Sequence, residues 1–165
     1  MRVLTAIGFV FVLASATSGQ QGAPQPTPTD RTKASQFTAA ELAAAIAKVP
    51  ADRPVTSTRI FTLAPYAVNV ERRQALPQGA SVHEAQAELF YIIDGSATLL
   101  TGGKLIDGTR NGTNLAGKGI EGGTRNAFNK GDFLVVPSGV PHQLVDIKAP
   151  VTLMSLYLPN TTSTQ

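Results

Sequence analysis

Residues 131–146 read GDFLVVPSGVPHQLVD, and this stretch decides the fold. Gly131-Asp132 suits a tight turn, because glycine tolerates positive φ and an aspartate side chain bonds nearby backbone. Residues 133–136 have the composition of a β-strand. Proline and glycine between residues 137 and 141 then interrupt the ladder and force a second turn. The stretch therefore predicts a strand, a turn, and His142 at the start of a further strand, with its imidazole directed along the inner wall of a β-structure.

The other histidine of the chain, His83, lies in a similar stretch, SVHEAQAELFYIIDG, over residues 81–95. Side chains on one face of a strand recur at every second residue, so Ser81 and His83 point the same way. Glu88 falls in the following strand, and Asp94-Gly95 between apolar runs predicts a hairpin turn. Closing such a sheet into a barrel would bring two imidazoles and one carboxylate together.

The two stretches resemble the paired motifs of the cupin superfamily, over about residues 78–158. The family's first motif is His-x-His, then three or four residues, Glu, six residues and Gly, where x is any residue. Here Ser81 stands at the position of the first histidine. The second motif is Gly, five residues, Pro-x-Gly, two residues, His, three residues and Asn. Here Asp146 replaces the asparagine. The positions that agree in order and spacing are His83, Glu88, Gly95, Gly131, Pro137, Gly139 and His142.

This resemblance implies an all-β fold, the cupin double-stranded β-helix or jelly-roll barrel, with a metal held by three histidines and one glutamate. The ligands implied here are His83, Glu88 and His142, and Glu84, Gln86 or water would fill the place that Ser81 leaves. Two histidines and one carboxylate with free positions are also the composition of a non-haem iron(II) site. The expected cofactor is one divalent ion, with Fe, Mn, Zn, Ni and Cu left open.

Two classes of function follow. The first is an enzyme that binds a small molecule at the open metal positions and acts as an oxygenase, isomerase or lyase. The second is a binding or sensing protein with a degenerate, metal-free barrel, in which His83 and His142 are polar residues satisfied by hydrogen bonds. Nothing supports nucleophilic catalysis, because the chain has no cysteine and no residue orients a base beside Ser81.

The beginning of the chain predicts export. Residues 1–16 combine Arg2, an apolar run and Ala14-Ser15-Ala16, which is the pattern of a signal peptide, so the protein is expected to be secreted or periplasmic. Residues 17–34 are rich in Gln, Pro, Thr and Ser and predict a disordered linker. Residues 35–160 then form a single barrel domain, which without cysteines must be held together by packing alone.

A short helix and several strands are predicted within that domain. Thr38 and Glu41 form a capping box before an alanine-rich run that Pro50 ends, and this helix is expected on the outside of the barrel. Strands follow over residues 56–63, 66–73, 80–85, 88–93, 96–101 and 151–158. In the second of them, Asn69 and Glu71 alternate with valines, which predicts that they face water.

Residues 102–130 hold eight of the fifteen glycines and a near-repeat, IDGTRN and later IEGGTRN. The segment predicts a paired loop at the barrel rim, with irregular structure favoured over a lid that shapes a substrate site. The glycines do not form a phosphate-binding loop, because no GKS or GKT sequence follows a strand.

The charge pattern limits the partners. The net charge of +3 falls to +2 when Arg2 is removed with the signal, and the basic residues are scattered along the chain rather than gathered in a stripe. Nucleic-acid binding needs such a stripe, so it is excluded, and no membrane contact is expected once the signal is removed. A small-molecule ligand or substrate is the expected partner, and a homodimer is left open.

Overall fold

The computed structural model describes residues 29–160, which contain one helix and thirteen strands. The elements are α1 (Ala39–Ala47), β1 (Val55–Leu63), β2 (Tyr66–Arg73), β3 (Ala80–His83), β4 (Gln86–Asp94), β5 (Ser96–Thr101), β6 (Lys104–Ile106), β7 (Thr109–Asn111), β8 (Asn114–Gly117), β9 (Gly119–Glu121), β10 (Thr124–Asn129), β11 (Phe133–Val136), β12 (His142–Val145) and β13 (Val151–Pro159). The all-β prediction with one short helix before the strands is confirmed.

Two antiparallel sheets make up the body of the domain. The first has the order β1-β2-β13-β4-β11, the second has the order β10-β5-β12-β3-β8-β7, and β6 pairs with β9 separately. Most neighbours in the sheets are distant in sequence, as in the pairing of β13 with both β2 and β4. One buried cluster contains Phe90 and Leu153 from the first sheet with Leu99, Phe128 and Leu144 from the second. The two sheets therefore face each other across a common core.

Helix α1 lies on the outer surface of the first sheet. Its capping box forms as predicted, with the Thr38 side chain bonded to the Glu41 backbone and the Glu41 side chain bonded back to Thr38. A shallow groove between the helix and the sheet is lined by Leu42 from α1 and by Val70 and Met154 from β2 and β13. No residue of α1 is fully buried, so the helix covers the barrel without contributing to its core.

The prediction that Asn69 and Glu71 face water is wrong. Each is only 4% exposed, and they lie opposite Ser155 and Leu153 of β13, whose side chains point into the barrel. The intervening Val70 faces the helix instead. Strict alternation predicts two faces with different surroundings, but it does not say which face is covered, and here the polar face is the inner one.

The glycine-rich segment is more regular than predicted. Residues 102–130 contribute β6 to β10, and the two copies of the Thr-Arg-Asn sequence form β7 and the start of β10, at opposite edges of the second sheet. Leu105 of β6 lies very close to Gly117 of β8. A Cβ atom added to Gly117 would be 2.6 Å from Cγ of Leu105. Glycine at this position lets β6 pack against β8, so the segment forms strands where an irregular loop was favoured.

The predicted signal peptide, residues 1–16, and most of the predicted linker lie outside the described residues. At the linker's end, the Thr29 hydroxyl accepts a hydrogen bond from the Thr62 backbone, and Arg31 donates to the Ala64 carbonyl. Residues 29–34 therefore touch the turn between β1 and β2 although they form no helix or strand. Within the described range, no helix has the length and apolarity needed to span a lipid bilayer.

Candidate metal centre

Three strands bring His83, Glu88 and His142 together inside the barrel. His83 ends β3, His142 begins β12, and Glu88 lies in β4 of the opposite sheet. The turn before His142 contains Gly139 at φ 76°, and its N–H donates to the His83 carbonyl at 2.9 Å. Because few side chains tolerate that φ, glycine allows the turn to join the two histidine strands directly.

The ligand atoms of these three residues converge. One carboxylate oxygen of Glu88, Oε2, lies 3.1 Å from Nε2 of His142 and 3.4 Å from Nε2 of His83. The ligand atoms all lie within 4.8 Å of one another, and the imidazole ring centroids are 5.3 Å apart. Glu88 and His142 are buried and His83 is half-buried, so His83 is the member of the cluster that is partly exposed to solvent.

The other nitrogen of each imidazole is held by an oxygen that only accepts hydrogen bonds. Nδ1 of His83 lies 2.7 Å from Oδ1 of Asn114, and Nδ1 of His142 lies 3.2 Å from the Val140 carbonyl oxygen. Each Nδ1 therefore carries the proton and donates it, and in the neutral ring Nε2 is left with its lone pair. Two nitrogen lone pairs and a carboxylate then point at one position. Because they repel one another, they require a proton or a cation between them.

The charges inside the cluster are coupled. Burial would raise the pKa of Glu88, but hydrogen bonds and charge interactions with His142 and His83 lower it to about 2. Burial would likewise lower the pKa of His83, but the Glu88 carboxylate, the Asn114 side chain and the charge of Glu71 together raise it above 6.5. Glu88 is thus a carboxylate at any physiological pH, and it attracts positive charge to this position.

The donor set fits a divalent transition-metal ion. Two imidazole nitrogens and one carboxylate oxygen suit Fe, Mn, Zn, Ni or Cu, and the hydrogen bonds to both Nδ1 atoms are the second contacts that ligating histidines commonly make. Three protein donors leave further coordination positions open, which is the arrangement of catalytic rather than closed structural sites.

Of the residues considered as a fourth metal ligand, two lie on the same face as the cluster and one does not. Ser81 lies directly opposite His142 in the sheet and therefore on the same face as the cluster. Gln86 shares the inward face of β4 with Glu88, since the two are separated by one residue. Glu84 does not join them, because it is exposed and forms an ion pair with Arg110 at 2.6 Å. The position beside the histidines is thus bordered by the Ser81 hydroxyl rather than by a second carboxylate.

Two residues of this site were missed in the sequence. Asn114 belongs to the glycine-rich segment and lies opposite His83 across β3 and β8. Tyr157 lies opposite Glu88 across β13 and β4, and its ring centroid is 5.1 Å from that of His83. Burial and the charges of Glu88 and Glu71 raise the pKa of Tyr157, so its phenol stays protonated. Only strand register brings these residues to the site, and neither belongs to a motif.

A surface groove lies apart from the cluster. A groove of about 620 Å³ is lined by Ser96, Thr98, Phe128 and Lys148, near the turn that joins β4 to β5. None of the three converging residues borders it, so this groove is separate from the candidate metal centre.

Solved structures identify the fold. The chain is similar to the cupin domain of Cnp3 from Schizosaccharomyces pombe, with a TM-score of 0.50 and 14% identity over 70% of this chain and 72% of that one. It is similar to a Bacillus halodurans protein, with a TM-score of 0.53 and 13% identity over 81% and 87% of the two chains. An uncharacterized conserved protein with a double-stranded β-helix domain from Klebsiella pneumoniae gives a TM-score of 0.50 and 16% identity over 67% and 82%.

No family model matches the sequence, and no curated protein matches it. The structural likeness is nevertheless consistent across the three proteins. The chain has the cupin fold, a double-stranded β-helix barrel, as its motifs predict.

Proposed function

We propose that the protein is an exported cupin barrel that binds one divalent metal ion through His83, Glu88 and His142 and uses it to act on a small molecule. The observation that carries this proposal is the orientation of the two histidines. Asn114 and the Val140 carbonyl hold both Nδ1 atoms, so both Nε2 atoms are presented to the same carboxylate oxygen.

When bound, a divalent ion supplies Lewis-acid or redox chemistry at the coordination positions that the protein leaves free. The chain's own residues prepare that position. Glu88 offsets the positive charge of the ion, and of the three ligands only His83 is partly exposed to water. The Tyr157 phenol stays protonated, and its hydrogen bond to Glu88 helps to hold that carboxylate in place. Oxygenase, isomerase and lyase reactions all suit a small molecule held in this way.

A second function rests on Ser81. Where the family pattern has a histidine, this chain offers a hydroxyl, which is a poor ligand for these metals. The protonated His83 can also satisfy Glu88 directly, since the two lie 3.4 Å apart. A barrel that binds or senses a small ligand without metal is therefore the alternative.

Metal analysis separates the two functions. Protein purified without chelator is offered Zn, Mn or Fe separately, and bound metal is measured by elemental analysis. We expect one ion per chain for the natural protein. Glu88→Gln should weaken binding by more than about tenfold, because even contacts behind the ligands contribute roughly 10–100-fold. Glu84→Gln is the matched control, since that carboxylate pairs with Arg110 outside the site. Absence of bound metal in the natural protein would establish the metal-free alternative.

Export is proposed from residues 1–16 alone. Cleavage at the Ala14-Ser15-Ala16 sequence should leave a mature chain that begins between Thr17 and Gln21. N-terminal sequencing of protein recovered from the periplasm or the medium tests this, and an intact Met1 would contradict it.

A further inference from the structure

The interior of the barrel has an apolar half and a polar half. The apolar half is the buried cluster around Phe90 and Leu153. The polar half, here called the polar wall, consists of inward-facing side chains on β1, β2 and β13: Arg59, Asn69, Glu71, Arg73 and Ser155. Asn69, Glu71 and Ser155 are each 4% exposed or less.

Hydrogen bonds connect the members of the polar wall. The Glu71 carboxylate accepts from Nε of Arg73 at 2.9 Å and from the Ser155 hydroxyl at 3.1 Å. The Asn69 amide nitrogen donates to the same hydroxyl at 3.3 Å. The Asn69 carbonyl oxygen accepts from Nε of Arg59 at 2.6 Å. Glu71 and Arg73 thus neutralise each other, whereas Arg59 is bonded to a neutral amide.

Arg59 is the group of this wall with unmatched charge. Among residues 29–160, no carboxylate forms an ion pair with it. Its bond to Asn69 uses Nε and so orients the guanidinium, and no residue in the described range bonds to the two terminal amino groups. A guanidinium presented in this way matches the two oxygens of a carboxylate. The residue itself is exposed, so a ligand can reach it from solvent.

The polar wall continues along the same face of the first sheet to Glu88 of the metal centre. Ser155 is followed on the inward face of β13 by Tyr157, which lies opposite Glu88. The Glu71 charge acts on both His83 and Tyr157, and the Arg73 charge acts on Tyr157. Pairing across the sheet places Arg59 in the row of Asn69, Ser155 and Phe90, three strand spacings from β4. Glu88 is two residues from Phe90, so the backbones of Arg59 and Glu88 are about 16 Å apart. The Arg59 side chain leans towards β2, since its Nε bonds to Asn69, and this shortens the distance that a ligand must span.

We propose that Arg59 binds a carboxylate of the ligand, and that the ligand is a small organic acid whose other end carries the oxygen donors for the metal. This inference rests on the proposed metal site. The substrate class is therefore an acid with a metal-chelating hydroxy-carboxylate group at one end and a second carboxylate at the other, joined by a short carbon chain.

Paired probes and paired variants test the proposal. Malate and 2-hydroxyglutarate have a chelating end and a second carboxylate at two different spacings, whereas lactate and 2-hydroxybutyrate have the chelating end alone. Their dissociation constants are measured by calorimetry on the full chain loaded with Mn, after elemental analysis has established the metal content. At least one dicarboxylate should bind about tenfold or more tightly than its monocarboxylate counterpart, which corresponds to about 1.4 kcal/mol.

The variants assign that preference to a residue. Arg59→Gln should abolish it and leave monocarboxylate binding and metal content unchanged, and Arg59→Lys should retain part of it. Arg72→Gln is the matched control. Arg72 is the next arginine after Arg59 in the chain, but its side chain faces outward and bonds to Thr152. Thermal unfolding midpoints show that each variant is folded.

The outcomes separate this inference from the proposed function. If no metal binds, the metal site is wrong and this inference fails with it. If metal binds but neither dicarboxylate is preferred, or if Arg59→Gln keeps the preference, only the role of Arg59 is overturned. Loss of the preference in Arg72→Gln, with a normal unfolding midpoint, would also overturn it.

Discussion

Ser81 lies directly opposite His142 in the antiparallel pairing of β3 and β12. Side chains of directly paired residues share one face of a sheet, and His83 shares that face because it is two residues further along β3. The position at which the cupin pattern has its first histidine is therefore next to the candidate metal ligands, and a hydroxyl occupies it.

Ser81→His should supply a fourth ligand to the metal. An imidazole is a better donor than the hydroxyl or water at this position, and we expect metal affinity to rise about tenfold or more, by analogy with the 10–100-fold effects of contacts behind the ligands. Competition with a metal-binding dye measures the change. An enzyme that needs the open position should lose turnover while it gains metal affinity.

Glu84→His is the control for this variant. It adds a histidine one residue beyond His83, at an exposed position that pairs with Arg110. It should leave metal affinity unchanged. Equal affinity for the natural protein and Ser81→His would mean that Ser81 does not face the metal.

The motif residues were predictable because their spacing is a property of the chain. The turn at Gly139 and the single-residue separation of Ser81 from His83 are local features, so they can be recognised without knowing how the strands pair. The spacing from Glu88 to Gly95 likewise matches one strand, β4, and its turn. The cupin fold followed from these positions and is confirmed by the solved structures.

Asn114, Tyr157 and Glu71 could not be placed from sequence, because each reaches the interior through pairing between distant strands. Asn114 meets His83 across 31 residues, and Ser155 meets Glu71 across 84. Alternation in β2 showed two faces but not which face the helix would cover. The glycine-rich segment was misjudged for a related reason, since β8 and β10 of this segment pair with β3 and β5, which lie outside it.

Asn114→Ala should weaken metal binding without unfolding the barrel. The Asn114 side-chain oxygen accepts the Nδ1 proton of His83 at 2.7 Å and so fixes its ring and tautomer. Loss of such a contact typically costs about 10–100-fold in metal affinity. We expect about tenfold, measured by competition with a metal-binding dye.

Asn111→Ala is the matched control, because Asn111 lies opposite Asn114 on β7 and is exposed. Its removal should not change metal affinity. A similar loss in both variants would point to a disturbed pairing of β7 with β8 rather than to the histidine contact.

Gly117→Ala should destabilise the domain. A Cβ at residue 117 would lie 2.6 Å from Cγ of Leu105 and 2.7 Å from the Ile106 carbonyl oxygen, which cannot move without shifting β6. Overpacking of this kind costs about 1–3 kcal/mol. Urea unfolding should show that loss for Gly117→Ala. Gly119→Ala should show little, because the nearest atom to its added Cβ is 3.6 Å away. Equal stability of the two variants would contradict the close packing of β6 on β8.

The metal-free and metal-loaded proteins should respond to pH in opposite directions. In the metal-free protein the pKa of His83 is raised above 6.5, chiefly by Glu88 and Asn114 against the opposing effect of burial. A raised pKa contributes stability that is fully present below about 6.5, the pKa of an unfolded-chain histidine, and is lost as pH rises through the folded-state value. Glu88, with a pKa of about 2, stays ionised throughout this range.

Metal binding requires the same Nε2 atom of His83 to lose its proton, so affinity should increase as pH rises through the raised pKa. Thermal midpoints measured between pH 5.5 and 8.5, with and without Zn, should therefore diverge: the metal-free midpoint falls with pH while the stabilisation by Zn grows. In His83→Gln the fall of the metal-free midpoint over this range should become smaller, because the proton responsible is absent, and Zn should stabilise little at any pH. An unchanged pH profile in His83→Gln would show that the contact between His83 and Glu88 does not control the protonation of this site.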